Sequence, residues 1–104
     1  MAYAVYRNPN RASRAIYPYL LEVQADLLRD LASTVVVPLA RPKLISSKPV
    51  SGLMPMIRFK GEPYVLMTPE LAGVARSLVG KSVGTLAGRR NSILAALDLL
   101  LTGV

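Results

Sequence analysis

Thr34-Val35-Val36-Val37-Pro38-Leu39 sets three valines behind a threonine, and no other stretch of the chain signals a strand as strongly. Pro38 has no N–H to give to a ladder, so the strand is expected at a sheet edge, or bulged at the proline. Upstream, Tyr19–Val23 (YLLEV) reads as another strand, followed by Gln24-Ala25-Asp26 and the pair Leu27-Leu28. Asp30–Ser33 then forms a turn or a short helical piece. Before it, Ala2–Tyr6 is a short apolar and aromatic strand that ends at the turn cluster Arg7-Asn8-Pro9-Asn10, and Arg11–Pro18 is a polar loop. Downstream, Arg41–Gly52 carries Pro42, Ser46, Pro49 and Ser51 and is mostly loop. Met56–Phe59 and Pro63–Met67 read as a hairpin joined through Lys60-Gly61-Glu62. Thr68-Pro69-Glu70 is a helix start or a turn, Leu71–Val74 fits a helix or a strand, and Val79–Gly84 is open.

The last segment reads differently. Ile93–Leu101 is ILAALDLLL, with Asp98 its only polar residue. A helix bordering water on one side needs a polar stripe, and this one has almost none over two turns. Several of its faces must therefore be covered, which one small core does not easily do. A second subunit or a partner is the expected cover, with a free carboxylate at Val104 beside that surface. Thr85 is placed to cap the helix start, and Gly103 follows the helix where a left-handed residue is favoured. Five or so short strands with Pro- and Gly-rich turns, closed by one C-terminal α-helix, predict a mainly β fold: a curled antiparallel sheet or SH3-like barrel, in a single domain over residues 1–104.

Composition narrows the chemistry. With no Cys among 104 residues there is no disulfide, zinc–thiolate site or thiol nucleophile, and with no His the usual general base and commonest metal ligand are missing. The six acids, Glu22, Asp26, Asp30, Glu62, Glu70 and Asp98, form no metal-like cluster. No catalytic residue, metal or cofactor is expected. A net charge of +7, from basic residues scattered along the chain, attracts nucleic acid or an acidic protein through its long-range field. Arg7, Arg11 and Arg14 interrupt any signal-peptide apolar region, and no uncharged run approaches the roughly 20 residues that span a bilayer. The expectation is a soluble, cytoplasmic protein with no membrane partner.

Taken together and in order, Val5-Tyr6, Tyr19–Leu28 (YLLEVQADLL), Val35–Leu39 (VVVPL), Met67–Val74 (MTPELAGV) and Arg89–Val104 (RRNSILAALDLLLTGV) resemble the CcdB family of bacterial toxins, over nearly the whole length. The resemblance implies a cytoplasmic homodimer with an SH3-like barrel and a C-terminal helix. It implies binding to the A subunit of DNA gyrase and trapping of the complex in which DNA is cleaved. It also implies a cognate CcdA-like antitoxin, whose disordered acidic tail wraps the toxin and removes it from gyrase. Operator DNA is then met only through the antitoxin complex, as part of operon repression.

Carried over residue by residue, the family's gyrase contacts fall on Thr102, Gly103 and Val104, with Leu101 and Asp98 one helical turn back. Where the family pattern ends Trp-Gly-Ile, this chain has Thr102-Gly103-Val104, and it contains no Trp. An indole stacked on an arginine is worth roughly 0.5–2 kcal/mol, which threonine cannot supply. Leu27 and Leu28 map onto an apolar pair near the gyrase and antitoxin surfaces, or are ordinary core. Arg11 and Arg14 are candidates for the acidic antitoxin tail. Arg89 and Arg90 sit where positive charge opposes the helix dipole, which suits an antitoxin salt bridge or plain solubility. Two other readings stand beside this one. A toxin endoribonuclease of the MazF and Kid type would suit the positive charge but lacks a His for proton transfer. A gyrase-inactive homologue would retain only antitoxin binding and operon regulation.

Overall fold

A computed structural model of the chain describes residues 2–46 and 48–103. Its centre is the strand β3, Ser33–Ala40, which grows from the valine run. On one edge β3 pairs antiparallel with β2, Tyr19–Glu22, in unbroken register from Tyr19 opposite Leu39 to Glu22 opposite Val36. Its other edge forks. Residues Ser33 to Val36 pair with β6, Ala72–Ala75, whereas Leu39 and Ala40 pair with β5, Glu62–Leu66. β1, Ala4–Arg7, lies outside β2, and the two-residue strand β7, Gly84–Thr85, lies outside β1. β4, Met56–Phe59, ends the other side, so the main path runs β4-β5-β3-β2-β1-β7 with β6 on the fork. The result is a curled, antiparallel, mainly β sheet with one C-terminal helix, of the SH3-like barrel kind.

The fork corrects the reading of Pro38. β3 is a central strand and has no bulge at the proline, since Leu20 sits opposite Pro38 in register. The proline is tolerated because it falls where β6 has ended and β5 has not begun. Its missing N–H faces that gap, and its carbonyl accepts the Met67 N–H at 2.9 Å. The hairpin follows the sequence reading closely. Lys60 (φ 51°) and Gly61 (φ 80°) form a two-residue turn with both residues left-handed, the arrangement that matches strand twist. Of Leu71–Val74, the last three residues fall in the strand β6 while Leu71 closes the 3-10 turn Thr68–Glu70, and a one-turn helix α1, Arg76–Val79, follows β6. The C-terminal helix α2 is Arg90–Thr102. Thr85 accepts the Ala87 N–H at 3.2 Å and donates to the Ala2 carbonyl at 2.8 Å, so it ties the approach to the 3-10 turn Ala87–Arg89 and does not cap α2, whose N-cap position is Arg89. Among the described residues no helix is long and apolar enough to cross a membrane.

The core lies inside the curl. Val5, Leu21, Val37, Leu39, Ile57 and Leu66 point inward from alternate strand positions, and Ile93 and Ala96 of α2 close it. At one end Tyr19 packs edge-on against Phe59 and Tyr64, with ring centroids 5.1 and 5.6 Å away. Gly84 lies against this cluster: a Cβ there would stand 2.7 Å from Phe59 Cε1.

On the opposite face of the sheet a polar knot ties four elements together. The Glu22 carboxylate accepts from Arg76 Nη2 at 2.8 Å, from the Thr34 hydroxyl, and from the Tyr6 hydroxyl at 3.4 Å. A carboxylate withdrawn from water is costly unless paired and hydrogen-bonded, and three donors meet that need here. The knot anchors α1 to β1, β2 and β3. Burial raises the pKa of the Tyr6 hydroxyl above its ordinary value of 10.0, and the Glu22 carboxylate raises it further, against a smaller pull from Arg76.

Two outcomes follow from this packing. Gly84→Ala forces a buried aromatic ring to move and is expected to destabilise by about 1–3 kcal/mol. Gly73→Ala, where a Cβ meets nothing within 4 Å, is the matched control. Denaturant melts of both variants check this, and equal midpoints would remove the Phe59 contact as a constraint. For Tyr6 the sign runs with its raised pKa. The folded state keeps a proton that the unfolded chain gives up near pH 10, so this contribution is full below about pH 10 and fades as pH rises through the folded-state pKa. Tyr6→Phe should therefore lose stability less steeply than the parent in melts between about pH 9 and 11.5.

Candidate functional site

The end of α2 is exposed but geometrically fixed. Gly103 takes the left-handed conformation (φ 78°, ψ 11°), and its N–H donates to the Leu99 carbonyl at 3.1 Å. The Thr102 hydroxyl donates to the Asp98 carbonyl at 2.7 Å. Carbonyls that a helix end normally leaves unpaired are thereby satisfied within the last turn. With its hydroxyl turned back to the helix, Thr102 adds little polarity to the tip. Leu101 is 72% exposed. The Asp98 side chain is exposed and has no partner among the described residues. Asp98, Leu101 and Thr102 thus lie in the last turn and a half of the helix, and with the cap Gly103 they make a small apolar tip on which Asp98 is the one side-chain carboxylate. Val104, the remaining candidate, lies outside the described residues.

Upstream on the helix, only Ile93 and Ala96 are fully buried, while Leu94, Leu97, Leu99 and Leu100 are half-buried. Val50–Met54 passes alongside, where a Cβ on Gly52 would stand 3.6 Å from Leu99 Cδ2. Arg89 precedes the first helical residue, Arg90, and both are exposed, with no acid in the first turn.

Leu27 and Leu28 lie on the 3-10 turn Asp26–Leu28 that joins β2 to β3, and the structure shows that they are not core. Leu27 is 91% exposed and Leu28 44%. The turn is held from below by polar contacts. Gln24 Nε2 donates to the Leu28 and Ser33 carbonyls at 3.1 and 3.3 Å, and the Ala2 N–H donates to Asp26 Oδ1 at 3.1 Å. A rigid turn thus pushes its leucines into solvent. Leu31, 51% exposed, extends the patch. The sequence reading missed it because it sits in a stretch read as a turn or a short helical piece, although its i+3 spacing from Leu28 was visible.

Arg11 and Arg14 share the loop between β1 and β2 but face different surroundings. Arg14 is spent on the loop itself: its Nε donates to the Asn8 carbonyl at 2.8 Å and its Nη2 to the Pro9 carbonyl at 3.3 Å. Asn8 crosses the same loop, donating to Ser13 Oγ and the Tyr17 carbonyl. Arg11 is exposed and has no partner among the described residues. This loop and the leucine turn flank β2 at opposite ends, so the two groups do not form one surface within a chain. The helix tip belongs to a third element.

The family model of the CcdB protein matches residues 2–103. The matched span takes in all seven strands, both helices, the leucine turn and the helix tip as far as Gly103. Nearly the whole sequence is thus accounted for by one family, and its curled sheet with a C-terminal helix is the architecture expected from the resemblance. The chain belongs to the CcdB family.

Proposed function

We propose that this protein is the toxin of a type II toxin–antitoxin module, acting as a topoisomerase poison rather than as an enzyme. It binds the A subunit of DNA gyrase and holds gyrase in the complex in which DNA is cleaved. The observation that carries this reading is the helix tip. Family membership implies a gyrase-poisoning toxin, and here the last turn of α2 is ordered, apolar and surrendered to solvent. A helix end with Leu101 so exposed adds little to its own core, so it is available for a partner. Asp98, Leu101, Thr102, Gly103 and Val104 are the proposed gyrase contacts, working without the indole of the family pattern.

The toxin acts in the cytoplasm as a homodimer. In support, the apolar run from Leu94 to Leu101 is only partly covered by its own chain. Twofold pairing is the commonest closed arrangement, and packing these helices together would complete the cover. The antitoxin is CcdA-like, with a disordered acidic tail drawn by the +7 charge. Leu27 and Leu28 supply apolar contact for it, and Arg11 and Arg14 supply charge, Arg11 with the freer guanidinium. Operator DNA is engaged only through the toxin–antitoxin complex.

Sedimentation at micromolar concentration is expected to give a dimer, and a monomer would remove the helix pairing. Removing Thr102-Gly103-Val104 should abolish growth inhibition on induction while leaving the fold and dimer intact, because these residues lie at or beyond the helix end and contribute little to the core. Thr102→Trp should then raise affinity for a gyrase carrying the matching arginine by about fivefold, or ~1 kcal/mol. A truncated, folded dimer that stays fully toxic would place the inhibitory surface elsewhere.

A further inference from the structure

Ala25 to Ser33 are all exposed, so the segment that carries Leu27, Leu28 and Leu31 has no buried side chain to hold it. Loops without apolar anchors open at little cost. This one is nonetheless wound into a turn, with the Leu28, Arg29 and Leu31 N–H groups closed onto the Ala25, Asp26 and Leu28 carbonyls at 2.9, 3.1 and 3.1 Å. Its order has to be imposed by polar contacts, from Gln24 and Asp26 within the segment and from the two stems, β2 on the way in and β3 on the way out.

Arg76 bonds to both stems. Its backbone N–H donates to the Ala32 carbonyl at 2.9 Å, at the exit of the segment, next to the Ser33–Ala75 pair that opens the β3–β6 register. Its guanidinium Nη2 donates at 2.8 Å to the carboxylate of Glu22, the last residue of β2 before the segment leaves the sheet. Thr34 donates to the same carboxylate from the exit side. These contacts close a ring around the base of the segment. The Arg76 and Glu22 side chains are only 29% and 12% exposed, so the pair is screened far less than a surface one.

The two bonds of Arg76 do different things. The backbone bond follows from the β3–β6 pairing and sets residue 76 beside the exit stem whatever its side chain is. Only a long donor at that place reaches across to the entry stem. The guanidinium therefore adds what the strand ladder does not: a link from the segment after β6 to the mouth of a turn 54 positions away.

We propose that Arg76 is a positioning residue for the leucine turn. Its guanidinium ties the entry stem at Glu22 to an exit stem already held by its backbone, and so keeps Leu27, Leu28 and Leu31 presented to a partner in one arrangement. A surface ordered beforehand loses less freedom on binding. That the partner is the antitoxin rests on the reading given above, whereas the hold of Arg76 on the turn does not.

The test is amide hydrogen exchange on the full-length protein, joined to affinity for labelled cognate antitoxin. Arg76→Met keeps a long unbranched side chain and removes the donors. Exchange at Leu28, Arg29 and Leu31 should quicken about tenfold or more, while amides of the β4–β5 hairpin keep the parent rates. Arg76→Lys can still donate to Glu22 and should restore most of the protection. Antitoxin affinity should fall about fivefold in Arg76→Met and recover in Arg76→Lys. If Arg76→Met does not fold, Glu22→Gln, which leaves the Thr34 and Tyr6 hydroxyls an acceptor, serves for the same comparison. The proposal is overturned if the turn amides keep the parent rates, or if the hairpin amides quicken by the same factor, which would make the pair a global stabiliser only. The double variant Leu27→Ala, Leu28→Ala separates the two readings. If it binds the antitoxin as tightly as the parent, the leucines are not antitoxin contacts, and the exchange rates alone decide whether Arg76 positions the turn. If it binds more weakly, unchanged affinity in Arg76→Met with a loosened turn overturns the proposal as well.

Discussion

β3 is bound to three strands at once, and the rest of the molecule takes its place from that fork. A strand has two edges, and one of these is shared by β6 at the start and β5 at the end. The division falls at Val37 and Pro38, and the proline enforces it. A residue with an N–H there could pair with a strand running straight through, whereas Pro38 offers only a carbonyl, which Met67 takes. The chain leaving β5 must therefore turn away at Thr68–Glu70 before it can return as β6. That detour brings α1 over the outer face, where Arg76 reaches Glu22, and leaves the inner face of the curl for α2. The polar knot and the apolar core stay apart because side chains alternate along β2 and β3, with Glu22 and Thr34 on the outer face and Leu21 and Val37 on the inner one.

The two faces do different work. Inside, α2 closes the core with Ile93 and Ala96 and then runs out of sheet to pack on, so its last turns are progressively less covered. Outside, the described ion pairs are Arg76–Glu22 and Arg41–Glu62, which leave most of the 13 basic residues unmatched. A molecule built this way offers its surroundings an apolar helix end and a broad positive field. The proposed partners match those two surfaces: a large enzyme engaged at the tip, and an acidic tail drawn by charge and then held by apolar contacts.

Much of this was legible in the sequence, for local reasons. The valine run, the Lys60-Gly61 turn and the lone Asp98 in an apolar helix each carry their meaning within a few residues. β7 was not legible and β6 stayed open between helix and strand, because Ala72-Gly73-Val74-Ala75 and Gly84-Thr85 have little strand preference of their own and are strands only because β3 and β1 offer edges to pair with. Pro38 misled because the edge rule assumes one partner per edge. The Glu22–Arg76 pair joins residues 54 positions apart, and no local pattern announces it. Leu27 and Leu28 could be core or surface until the turn beneath them was seen, since an apolar pair reads the same in both places. The helix tip was marked by family resemblance, and the structure adds how it is held: Gly103 left-handed, Thr102 bonded back to Asp98, Leu101 in solvent.

The most direct measurement of the proposed activity uses purified gyrase, supercoiled plasmid, ATP and the intact toxin, with detergent and protease added at the end to release trapped ends. Linear plasmid is expected to accumulate with toxin concentration and to disappear when gyrase is omitted. A folded toxin that yields no linear plasmid at any concentration would contradict gyrase poisoning by this chain, and would show that a tip carrying threonine in place of tryptophan no longer holds the cleaved complex.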